Sequence, residues 1–107
     1  MRHDIASLLQ RVRSLVDAHS ADPGEPLLTE MEHTLTDGYA RALELEGERL
    51  RLERRIGELA HGLDGPEQAD ELRQTAEQLR RTDDELASLR NVLAALQQRI
   101  DADRAAA

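Results

Sequence analysis

Two Glu-x-x-His pairs, Glu30 with His33 and Glu58 with His61, are the residues best suited by type to bind a metal. In helical bundles an i, i+3 carboxylate and imidazole project together and can ligate a transition metal. Both pairs fall on one predicted helix, roughly 40 Å apart at 1.5 Å per residue. They also lie on the side away from that helix's apolar stripe, so a shared site requires assembly between chains. Within one chain the pairs read as solvated surface. No metal, cofactor or catalytic residue is expected.

Arginines make a second group. Arg49, Arg51, Arg54 and Arg55, with Arg80 and Arg81 nearby, form the densest basic region. Guanidinium groups can hold a phosphate or carboxylate through paired hydrogen bonds. Here they alternate with Glu48, Glu53, Glu58 and Asp84, the pattern of a solvated helix face. Arg49 is the exception, because it falls on the apolar stripe. With Asp83 it is expected to form one polar layer that fixes register. If buried, such a pair would lose ~3–5 kcal/mol on removal of one partner.

The third group is acidic: Asp64, Glu67, Asp70 and Glu71 surround a predicted turn. Negative charge suits the positive end of the helix that follows. An acidic-tipped helical hairpin resembles, in shape, the bacterial secondary-channel transcript-cleavage factors, whose tip carboxylates hold Mg²⁺ at the polymerase active site. That resemblance implies a regulator of transcription machinery acting through the tip.

The elements that carry these groups follow from apolar spacing. Leu28, Met31, Leu35, Gly38, Ala42, Leu45, Leu52, Ile56, Leu59 and Leu63 recur at alternating three- and four-residue steps, with Arg49 filling the one gap. This is a coiled-coil seam. Leu72, Thr75, Leu79, Thr82, Leu86, Leu89, Leu93, Leu96 and Ile100 make a second seam. Between them, Gly62 can take a left-handed conformation and Pro66 can open the next helix. A short connection makes the two helices antiparallel neighbours. Pairing about the turn sets Leu59 against Leu72 and Leu45 against Leu86, with small Gly38 facing large Leu93. The same register lets Arg55 reach Glu71.

The expected layout is one helical domain over residues 1–107. A first helix covers 4–19, a linker 20–26, a second helix 27–60, a turn 61–66 and a third helix 67–104. The fold class is all-α: a long antiparallel coiled-coil helical hairpin with a shorter N-terminal helix. It closes either as a three-helix bundle or as a dimeric helical bundle.

Composition bounds the function classes. No Phe, no Trp and three Pro among 107 residues leave little material for a sheet protein. A net charge of -8 argues against a nucleic-acid surface. There is no Cys for a disulfide, a thiolate nucleophile or a Cys-ligated metal. All fourteen basic residues are Arg, as expected of a GC-rich bacterial genome. With no apolar leader and no run of about 18 apolar residues, a cytoplasmic protein without membrane contact is expected.

Several apolar residues lie off the seams. Tyr39, Leu43 and Leu50 flank the second helix on one side, and Ala87 and Ala94 can face the same groove. Either the first helix or a second chain is expected to cover it. Leu9 and Val16 become contact residues if the first helix docks elsewhere. Gly47 and Gly57 point away from the seam, in mid-helix. The functional expectation is a non-enzymatic coiled-coil protein-protein interaction module or adaptor, self-associating, with contact through Tyr39, Leu43 and Leu50. The alternatives are the tip-acting transcription regulator and a small helical metal protein with Glu-x-x-His pairs at an oligomer interface.

Overall fold

The structure is a computed structural model and describes residues 5–17, 25–62 and 65–106. Among these, all but Gly62 and Gly65 are helical and none is in a strand. Leu, Ala, Glu, Arg and Gln dominate the helices, and these residues lose least on entering one. The helices are α1 (Ile5–Asp17), α2 (Glu25–His61) and α3 (Pro66–Ala106). The fold is all-α, with α2 and α3 packed as a helical hairpin and α1 as the shorter third helix. The expected linker, apart from its last two residues, lies outside the described residues.

The chain divides into two compact units, one of Met1–Ala42 with Ser88–Ala107 and the other of Leu43–Ala87. In the first, segments of all three helices share a core. Leu8, Val12, Met31, Leu89, Leu93, Leu96 and Ile100 are each no more than 2% exposed. Gly38 is buried against Leu93, so the small residue faces the large one as the pairing requires. Arg104 closes the far end through its ion pair with Glu32.

The docking of α1 corrects one expectation. Of the two expected occupants of the Tyr39 groove, the first helix or a second chain, α1 is not there: it sits on the Thr34 side of α2. Arg11 Nη2 donates to Thr34 Oγ1 at 3.1 Å and Nη1 donates to Asp37 Oδ2 at 3.4 Å. Glu30 lies 3.6 Å from the same guanidinium. Thr34 and Tyr39 are five residues apart, roughly 140° around the helix. The physical reason is complementarity: Thr34 is small enough to be covered, and Arg11 finds two carboxylates beside it. Leu8 and Val12 then fill the groove. Tyr39 stays 49% exposed.

The second unit has two helical segments and a thinner core. Leu45, Leu59, Thr75, Thr82 and Leu86 are buried, while Leu52, Ile56, Leu72 and Leu79 are half-buried. Two helices cannot enclose a seam from every side, which accounts for the difference. Thr75 is tolerated in the seam because its hydroxyl donates to the Glu71 carbonyl at 2.8 Å. Arg55 reaches Glu71, with Nη2 donating to Oε1 at 2.6 Å. At the turn, Gly62 N donates to Glu58 O at 3.1 Å, an ordinary helical step. No described glycine has positive φ, so the left-handed expectation for Gly62 does not hold. The backbone satisfies its hydrogen bond by continuing the helix instead. Gly65 O then accepts from Ala69 N at 3.1 Å, opening α3 at Pro66.

Candidate interaction face

Leu43 and Leu50 are seven residues apart on α2, which places them on one face two turns apart. They are 69% and 49% exposed. Each stands two residues before a seam leucine, Leu45 or Leu52, and therefore roughly 200° around the helix from it. The seam consumes one side of α2 and leaves these two side chains pointing out. One exposed leucine is unremarkable on a protein surface. Two in register make an apolar stripe.

Glycine extends the stripe. Gly47 lies between the leucines and Gly57 follows Leu50 by another seven residues. A Cβ built on Gly47 would touch only Arg51 Nη1, at 3.4 Å. One built on Gly57 meets nothing within 4 Å. Glu46, Glu53, Arg51 and Arg54 flank the stripe; Arg51, Glu53 and Arg54 are exposed, as is Glu46. The second unit thus presents leucine and bare backbone between charged margins, an arrangement that can receive another helix.

The remaining predicted residues fall elsewhere. Arg49 and Asp83 come together at 3.2 Å, with Glu53 also 3.0 Å from Arg49 Nε. Their side chains are 46% and 45% exposed, so the pair caps the seam at the surface and is not a buried layer. Leu9 is half-buried on α1, and the side chain of Val16 lies outside the described residues. Arg11 and Thr34 were not singled out from sequence. The available signal was the spacing of Glu30, Thr34 and Asp37 along one flank of α2.

Four of the carboxylates considered for chemistry, Glu30, Glu58, Asp70 and Glu71, are engaged with arginine. Glu30 faces Arg11, and Glu58 Oε2 accepts from Arg55 Nη1 at 3.2 Å. At the tip, Asp70 accepts from Arg73 at 2.9 Å and Glu71 from Arg55. Asp64 lies outside the described residues. His33 and His61 are exposed, and among the described residues no three His, Asp or Glu converge as a metal site would require. The hydrogen bond from Arg55 to Glu71, and then that to Glu58, raises the Arg55 pKa further above its ordinary value. It stays a cation at any working pH. Among the described residues no helix is long and apolar enough to cross a membrane. Comparison of the chain with protein-family models, with curated proteins and with solved structures finds no match.

Proposed function

We propose that this chain is a non-enzymatic coiled-coil interaction module that self-associates through the outer stripe of α2. The observation that carries the reading is the exposure of Leu43, at 69%, on a helix whose seam is already filled by Leu45 and its neighbours. Leu50 repeats it one heptad later. Covering a leucine side chain contributes about 1.5–3 kcal/mol, so a partner helix gains directly from this stripe. Tyr39, four residues before Leu43 on α2, is a further half-exposed apolar residue. The tip reading is less favoured, because Asp70 and Glu71 are held by Arg73 and Arg55. Bacterial origin belongs to the same reading, supported by fourteen Arg and no Lys.

The test is the double substitution Leu43→Glu with Leu50→Glu. Both positions are exposed, so at dilutions where the parent is monomeric, helicity and unfolding free energy should stay within about 0.5 kcal/mol of the parent. Light scattering across a tenfold concentration range should show the parent mass rising above 12.0 kDa and the variant remaining there. A parent that stays at monomer mass, indistinguishable from the variant, would end the proposal.

A further inference from the structure

On the outward face of α2, three pairs of positions mirrored about Leu50 complement each other. Leu43 is seven residues before it and Gly57 seven after. Glu46 and Arg54 are each four residues away, on opposite sides, and so are of opposite charge at mirrored positions. Gly47 mirrors Glu53, again setting a residue without a side chain against a long one. The steps of three and four residues keep all of these on the outward face.

An antiparallel pair of identical helices related by a twofold axis brings position i of one against its mirrored position on the other. We propose that α2 packs in this way against α2 of a second copy, with the axis through Leu50. In that arrangement Leu50 meets the partner's Leu50, and Leu43 lies over the partner's Gly57. Glu46 faces the partner's Arg54, and the symmetry makes two such charge pairs. This inference rests on the self-associating reading above and adds the register and direction of the contact.

Gly57 supplies an observation independent of the leucines. Glycine is among the poorest residues in a helix interior. At Gly57 no described residue, apart from its chain neighbours and the helix's own backbone, lies within 4 Å of where a Cβ would stand, so the described packing does not require it. A glycine there leaves room for close approach of another backbone or a large side chain. Leu43 of a second copy has the size to fill that opening. A foreign helix could also bind leucines, but it would not call for opposite charges at mirrored positions of this chain. One short helix crossing falls below the ~1,200 Å² of a standard interface, so the dimer should be concentration-dependent.

The chain has no Cys, so single thiols report the geometry directly. Leu50→Cys should form a disulfide-linked dimer under mild oxidation, well beyond a Glu67→Cys control at the hairpin tip. Leu43→Cys chains should cross-link with Gly57→Cys chains and poorly with one another, as antiparallel packing demands. Charge exchange gives a second measurement. Glu46→Arg and Arg54→Glu should each weaken self-association about tenfold, and mixing the two should restore it between unlike chains.

If the unmixed variants associate like the parent, or Leu50→Cys cross-links no better than its control, this register is overturned. Self-association lost in the Leu43→Glu, Leu50→Glu variant would still leave the broader reading standing. Cross-linking between two Leu43→Cys chains would mean parallel packing, which also overturns the proposal. A parent that stays monomeric at every concentration removes both.

Discussion

Gly38 and Leu93 lie so close that a Cβ on residue 38 would stand 2.2 Å from Leu93 Cδ2, with Cγ and Cδ1 at 3.2 and 3.3 Å. Leu93 is 2% exposed, so its side chain has little room to turn away. Helix propensity alone would favour Ala at this position by ~1 kcal/mol. Overpacking opposes it at about 1–3 kcal/mol, which equals or exceeds that gain. Gly38→Ala is therefore expected to lower the urea midpoint, and Leu93→Val in the same chain should recover part of the loss. An unchanged or raised midpoint in the single variant would mean that α2 and α3 are not packed in this register.

Gly57 predicts the reverse. With no other described residue within 4 Å of its added Cβ, beyond its chain neighbours and the helix's own backbone, Gly57→Ala should stabilise the chain by about 0.5–1 kcal/mol. Thermal unfolding in dilute solution, where copies stay apart, is the appropriate measurement. A loss of stability there would reveal a neighbour inside the chain.

The docking of α1 rests on apolar burial, with Arg11 as its polar complement. Leu8 is 2% exposed, and Leu8→Ala should cost about 2–5 kcal/mol. Arg11→Ala should cost less, on the order of 1 kcal/mol, because its side chain is 41% exposed. Amide exchange should accelerate throughout α1 in both variants. Equal exchange in the parent and the Leu8→Ala variant would show that α1 gains nothing from this groove.

Exposure also sets the value of Arg49 and Asp83. A buried pair of this kind would lose ~3–5 kcal/mol with one partner. Both side chains here are nearly half exposed, which lowers the expectation for Asp83→Asn to under ~1 kcal/mol. Most of that should vanish in about 1 M salt, where the screening length is ~3 Å. A loss of several kcal/mol, insensitive to salt, would show a drier pair than the geometry describes.

The hairpin was legible because its information is local and periodic. Three- and four-residue steps mark Met31, Leu45, Leu59, Leu86, Leu93 and Ile100, and each is buried. Counting outward from the turn then pairs Gly38 with Leu93 and Arg55 with Glu71 across α2 and α3. The side chosen by α1 was not legible in the same way. Both flanks of α2 offer a groove, and the outcome turns on side chains far apart in sequence: Arg11, Thr34 and Asp37. The Gly62 conformation failed for a related reason. Glycine permits a left-handed residue without requiring it, and here the helical bond to Glu58 is made instead. Leu43 and Leu50 were visible as candidates because they break the seam's period. What covers them depends on a second surface, which periodicity within one chain does not specify.

Tyr39 has a spectroscopic consequence. The chain has no Phe or Trp and no other Tyr, and half of this one is open to solvent on α2. The near-ultraviolet absorbance, circular dichroism and intrinsic fluorescence of this protein all arise from that single phenol. Any event that dries or immobilises its ring changes the entire signal, with no background from other rings to subtract. The chain therefore carries its own unlabelled probe on the helix whose outer stripe is proposed to meet a partner.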